Sequence, residues 1–326
     1  MPWTVYRSDD AGAPNLTGAA GSLIALLDAV LVNGYGVKSA AGWAKAFSGT
    51  NKAAYRMGAG RFRAYFRVVD DASTAAGAKE AQMHAYESMS GIDAGANVFT
   101  GTGISTSDIT FRKSNTADAT IRPWMILADA RTCIVLLCWN YTAADFRVNG
   151  TYFGEFFSYV PNDNWAVCVI GRTADNDATT GYVPEAIANG HQATSSWTLT
   201  GHWLARDSSG INRAVSFAKF SVFQNSSGPM DGIFTFPNPA DGGAILSPLY
   251  VREHSPAGTY TLRGRLRGFW ASGHSGAAMA NGMGLSPFES FSATGDWAGR
   301  SFAPFSAGGI PGNWYMVETS NTIDTN

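Results

Sequence analysis

Apolar and polar positions change rhythm several times along the chain, and each rhythm predicts a different element. After the Gly/Pro-rich turn AGAPNLTGAAG, residues Leu23, Ile24, Leu26, Leu27, Val30 and Leu31 crowd a run that Ser22 can cap and Asn33-Gly34 can stop. This predicts a short helix that is apolar around most of its circumference. A helix of about three turns does not hold itself in water, so it must dock on a sheet or on a neighbouring subunit. From Trp43 to Val69 the period becomes two, through WAKAF, AYR and FRAYFRV, which predicts strands with turns at Gly49, Gly58 and Gly60. Ala72 to Met89 is rich in Ala, Lys, Glu, Gln and Met and predicts a second helix, capped by Ser73 or Thr74, with His84 and Glu87 on one face as a solvated pair.

Gly91 to Asn115 is Gly/Thr/Ser-rich and reads as a long loop or ribbon. Beyond it the pattern is strongly β. Strands are expected at Trp124 to Leu127, Cys133 to Trp139, Phe146 to Asn149, Tyr152 to Tyr159 and Trp165 to Ile170, with turn residues every 8 to 12 positions. Val148-Asn149-Gly150-Thr151 is the sharpest hairpin signal, since Asn-Gly accepts positive φ at both central positions. Gly171 to Ser196 reads as loop. Strands resume at Trp197 to Ala205, Ala214 to Gln224, Ile233 to Phe236, Ala244 to Arg252, Thr259 to Trp270, Ala293 to Phe302 and Trp314 to Glu318. The pattern predicts a mainly β fold of antiparallel sheets, sandwich- or barrel-like, with two or three helices. It divides into an α+β assembly region over 1–115 and a β-rich domain over 116–326, which could also be one domain.

Composition adds a reason to expect assembly. Charged residues are 15% of 326, against 13% aromatics and 37 glycines, so much of the surface must be neutral or covered. A net charge of -2 gives no electrostatic reason to bind nucleic acid or a membrane surface. The longest apolar stretch, Met125 to Trp139, is interrupted by Asp129 and Arg131, so no bilayer span of about 20 residues is expected. The polar start MPWTVYRSDD does not read as a secretory signal, so the Asn-X-Ser/Thr triplets at Asn15, Asn140 and Asn149 carry no weight. Cys133, Cys138 and Cys168 sit in apolar runs without CxxC spacing and read as buried free thiols folded in a reducing compartment.

The catalytic and metal patterns are missing one by one. His84, His191, His202, His254 and His274 lack a second ligand at zinc-site spacing, and GTG at Gly101 to Gly103 is not a dinucleotide fingerprint. Asp175-Asn176-Asp177 opens like a calcium loop without its distal Glu. Gly273-His274-Ser275-Gly276-Ala277 falls one glycine short of a nucleophile elbow, so Ser275 reads as a loop residue. No catalytic residue, cofactor or metal is expected. Glu155, Asp163, Glu185, Asp207, Glu253 and Glu289 all lie near aromatics, which says little where aromatics are everywhere. Exposed tryptophans in β loops are sugar platforms, and Trp197, Trp203, Trp270, Trp297 and Trp314 are candidates, Trp197 and Trp203 foremost. Arg263, Arg265 and Arg267 would share a strand face and pair with acids such as Glu253.

Several ordered blocks carry a resemblance that no single motif does. They are APNLTGAAGSLIALLDAVLVNGYG, AGWAKAFSGTNKAAYR, KSNTADATIRPWMILAD, YFGEFFSY, LSPLYVRE with LRGRLRGFW, and TGDWAGRSFAPF with WYMVETSNT. Together they resemble a family of structural proteins encoded in tailed-bacteriophage genomes, many of which carry an extra module where this chain has only VKSA, between Gly36 and Ala41. The resemblance implies a virion component without assigned enzymatic activity, located in the tail, baseplate or an attached fibre, or decorating the head. It further implies folding in the bacterial cytoplasm and contact with other virion proteins or further copies of itself. A carbohydrate-binding domain that recognises host-surface glycans is the alternative. For the interface, Leu23, Leu27, Leu31, Trp270 and Trp314 are the expected anchors.

Overall fold

The computed structural model describes residues 3–74, 76–100, 109–142, 145–172, 200–211, 243, 246–254, 260–272, 285, 288–306 and 314–320. Strand β1 (Thr4–Arg7) precedes helix α1 (Ser22–Leu27), which continues as a π-helical turn over Asp28–Asn33. There follow β2 (Ala44–Gly49), β3 (Lys52–Arg56), β4 (Tyr65–Val69), β5 (Glu80–Gly91), β6 (Ala94–Val98) and β7 (Ile109–Arg112). The middle of the chain gives β8 (Trp124–Ala128), β9 (Thr132–Thr142), β10 (Asp145–Glu155), β11 (Phe157–Ser158), β12 (Val167–Arg172) and β13 (Thr200–Leu204). The last part supplies β14 (Leu246–His254), β15 (Tyr260–Ser272), β16 (Phe291–Ser292), β17 (Ser301–Ser306) and β18 (Trp314–Glu318).

The fold is mainly β, built from two antiparallel sheets. The larger runs β1-β8-β9-β10-β12-β7-β5-β4-β3-β2, with β13 on β12 and β6 on β5; the smaller runs β11-β15-β18-β17-β16, with β14 on β15. Strands from both sides of the expected 115/116 boundary therefore share one sheet. The larger sheet is a middle layer. One face, with Ile126, Val135, Leu137 and Phe153, packs with Leu23, Leu26, Leu27, Val30 and Leu31 of the helical segment. The other, with Leu127, Ile134, Leu136 and Ile170, packs on Leu249, Leu266, Phe269, Phe305 and Val317 of the smaller sheet. Burial on both faces explains why β8 and β9 read as continuous apolar runs rather than alternating ones. The sheet curls around α1, bringing Phe66 of β4 within 5.1 Å of Phe153 of β10, ring centre to ring centre, though neither sheet's strand order closes on itself.

Three expectations about elements are corrected. Residues 80–91 form strand β5, not a helix: Ala81, Met83 and Ala85 point into the core while Gln82, His84 and Tyr86 point out. Pairing with β4 and β7 overrides the weak helix propensity of that composition. Asn149-Gly150 lies inside β10, opposite Leu137 and Leu136, and the chain reverses between Thr142 and Asp145. Asn149 is buried, and its Oδ1 accepts a hydrogen bond from the Arg112 backbone N–H at 3.3 Å, a use of Asn that competes with the turn. Gly34 does stop the helical segment, with φ 76°. Ser22, however, donates to the Thr17 carbonyl, and the Leu23 amide is capped from a distance by Asp70 Oδ2 at 2.8 Å. Among the described residues, the remaining helical structure is two short 3-10 turns, Gly77–Lys79 and Gly295–Trp297. None of the described helices is long and apolar enough to cross a membrane.

Candidate interaction site

Alternation along the smaller sheet puts Phe269, Ala303, Phe305, Tyr315 and Val317 inward and leaves Trp270, Phe302 and Met316 on the opposite face. These three are nonetheless buried, because Leu246, Phe291, Ala293 and Trp297 close over them as a separate small core. Trp270 and Trp297 meet edge to face at 4.7 Å. Arg300 lies over the rings of Trp297, Trp270 and Phe302, at 4.5, 5.1 and 5.8 Å from their centres. Its guanidinium is also bidentate on Glu318, with Nε donating to Oε1 at 2.7 Å and Nη2 to Oε2. Glu318 is fully buried, and it accepts further hydrogen bonds from Ser320 Oγ at 2.9 Å and Trp270 Nε1 at 3.4 Å. The cluster is thus a cage of rings already filled by the chain's own cation. Trp297 and Phe291 remain partly exposed at its rim, beside the two-residue edge strand β16.

The edge of the larger sheet has a different character. All six residues of β2 are exposed or half-exposed, and among the described residues β2 is paired only with β3. Strand β6, AGANV, is likewise solvated and paired only with β5. Apart from Lys45, Phe47 and Val98, the residues of both strands are small and neutral, and Lys45 bonds Asp28 at 2.7 Å. Exposed strand edges of this kind present unpaired N–H and C=O groups to a partner chain.

Buried charge fixes these surfaces to the core. Arg263 of β15, 1% exposed, holds Asp163 through Nε and Nη2 at 2.9 Å each and Glu253 at 3.2 Å, so the pairing with Glu253 expected from the Arg263-Gly264-Arg265 pattern is present. Burial disfavours ionised Asp163, but the Arg263 bonds, with those from Ser158 Oγ and the Trp165 amide, together hold the carboxyl below its ordinary range. Arg206 carries the network to β5, bidentate on Glu87 at 2.6 Å and stacked 4.2 Å over Trp165. At the other end, Lys113 and Asp70 form a fully buried pair at 2.5 Å. Lys113 also donates to the Ala19 carbonyl at 2.8 Å. Burial pushes the Asp70 carboxyl up to about 6 against the pull of Lys113, and lowers the Lys113 ammonium.

The expected anchors are placed as follows. Leu23, Leu27 and Leu31 are fully buried in the chain's own core, so the surface expected of them is already covered by the larger sheet. Trp270 sits at the centre of the aromatic cluster. Trp314 pairs with Ser306 through the backbone of β18, and its side chain lies outside the described residues. Trp203 is half-buried against the larger core, and Trp197, Ser275 and Asp175 to Asp177 lie outside the described residues. Cys133, Cys138 and Cys168 are buried and free; burial raises the thiols of Cys133 and Cys168. Among the described residues no group of three His, Cys, Asp or Glu side chains could hold a metal ion. Arg300 and Glu318 went unread in the sequence, although Trp297-x-x-Arg300-x-Phe302 is a local signal for an arginine laid between rings. No protein-family model matches the chain, and no curated protein matches it.

Proposed function

We propose that the chain is a structural component of a tailed-bacteriophage virion, in the tail, baseplate or an attached fibre, working by subunit-subunit assembly. A head-decoration role is the nearest variant. The reading is supported by the ordered sequence blocks and, above all, by the solvated edge strand β2 at the end of the larger sheet. Such an edge favours extension of the sheet by another chain. The low charge of the chain removes much of the like-charge repulsion that would oppose close packing of copies. Light scattering of the purified protein, together with peptide mapping of purified virions, tests it. A defined oligomer and a fixed copy number per particle are expected. A stable monomer that neither enters virions nor binds a virion protein refutes it.

A further inference from the structure

The outer face of β2–β5 carries an arrangement distinct from the β2 edge. Register places Arg56, Tyr65 and Tyr86 in one row across β3, β4 and β5, and Phe47, Ala54, Arg67 and His84 in the next. Their inward neighbours Tyr55, Phe66 and Ala85 belong to the core, so these side chains face away from it, and all but buried Ala54 are half-exposed. Arg56 and Arg67 are diagonal neighbours, about 7–8 Å apart at the backbone. Among the described residues only one of these two cations has an acid. Arg67 gives a hydrogen bond to Asp93 at the β5–β6 tip, where Lys52 also approaches at 3.5 Å. Arg56 makes no hydrogen bond and no ion pair among the described residues; it lies 5.2 Å over the Tyr65 ring. Tyr65 in turn lies nearly parallel to Phe47, centres 6.4 Å apart.

A guanidinium backed by a ring, with no acid among the described residues, has the ring contact and no hydrogen bond. It is, however, the donor set that grips a planar carboxylate in bidentate fashion. Asp93 already shows a carboxylate held by the neighbouring cations of this face. Beside Arg56, Phe47 and Tyr65 are half-exposed rings, apolar surface against which the body of a sugar ring can pack. We propose that this face binds an acidic saccharide, with Arg56 gripping its carboxylate or sulfate and Tyr65 and Phe47 supporting the ring. A nucleic-acid strand fits less well, because its affinity comes from a basic track along many phosphates and this face holds only Arg56, Arg67 and Lys52 on a chain of net charge -2.

The test is calorimetric titration of the intact protein with sialyllactose, a galacturonic acid trimer and a chondroitin sulfate disaccharide, each against lactose. At least one acidic saccharide binds and lactose does not; Arg56→Met, which keeps the aliphatic stem over Tyr65, weakens binding tenfold or more, about 1.4 kcal/mol. Arg61→Met, which removes a cation bonded to Asn162 instead, leaves binding unchanged. Unchanged melting temperatures confirm that both variants fold. Failure of every acidic saccharide to bind overturns the proposal, as does binding that survives Arg56→Met, or preference for a single-stranded thymidine oligomer over all three.

Discussion

Lys113 and Asp70 show how a single buried pair can decide the course of a loop. The Asp70 side chain takes the Leu23 amide and its backbone carbonyl takes the Gly21 amide, while Lys113 takes the Ala19 carbonyl, so both ends of the ion pair are tied to the turn that launches α1. Removing one partner leaves an uncompensated charge in the core. Lys113→Met should therefore destabilise the chain by about 3–5 kcal/mol in urea unfolding, and adding Asp70→Asn should restore part of that loss. The pH dependence has a definite sign. Asp70 has a folded value of about 6, above its ordinary one, so between about 4 and 6 the folded state binds more protons than the unfolded state. Its contribution to stability is fully present below that window and declines as pH rises through it. The stability difference between wild type and Asp70→Asn should decline over the same window, and a difference that rises there would contradict the assignment. Gly268 illustrates the same economy: at φ 60°, its missing Cβ leaves room for the Trp3 ring, which a Cβ would meet at 1.9 Å.

At the scale of elements, β2 and β5 are the informative strands. The Gly49–Lys52 pair flanks a two-residue reversal, and in such a hairpin that pair exchanges hydrogen bonds. The next pair, Ser48 opposite Ala53, then turns the Ser48 N–H and C=O toward the free edge. Ser48→Pro removes that edge donor while sparing the β2–β3 ladder, and should shift the sedimentation profile toward monomer with a melting-temperature change of only a few degrees. An oligomer untouched by Ser48→Pro would exclude β2 as the assembly edge. Strand β5 shows the limit of propensity: its Ala, Glu, Gln and Met content suits a helix, yet the inward alternation of Ala81, Met83 and Ala85 was legible at period two all along.

For the whole molecule, the question is what holds the smaller sheet on the larger. Apolar packing between Phe269, Phe305 and Val317 and the face of β8–β10 supplies the attraction. Arg263 supplies orientation, since it spans from β15 to Asp163 and to the Trp165 and Arg206 carbonyls. Arg263→Met leaves Asp163 and Glu253 facing the interior unpaired and should lower unfolding stability by about 3–5 kcal/mol at neutral pH. Asp163 is held below its ordinary value, so its contribution is present above about pH 4 and lost as pH falls through the folded value. The Arg263→Met deficit should accordingly shrink in acid. A deficit independent of pH would mean that packing, not the ion pair, sets the orientation.

Pattern alone carried the β class, the helical segment over Leu23 to Leu31 with its stop at Gly34, most central strands and the buried free cysteines, because periodicity and apolar runs record which faces meet water. It could not tell a face covered by the chain's own sheet from one awaiting a partner, and so Leu23, Leu27 and Leu31 read as interface anchors when they fill the core. Nor could it pair distant charges. The Arg300–Glu318 clamp, the Arg206–Glu87 bond and, among the described residues, the lack of an acid at Arg56 depend on how strands far apart in the chain are brought together. Local sequence thus determined most of the elements; tertiary contacts decided the rest, β5 among them, and which surfaces stay open.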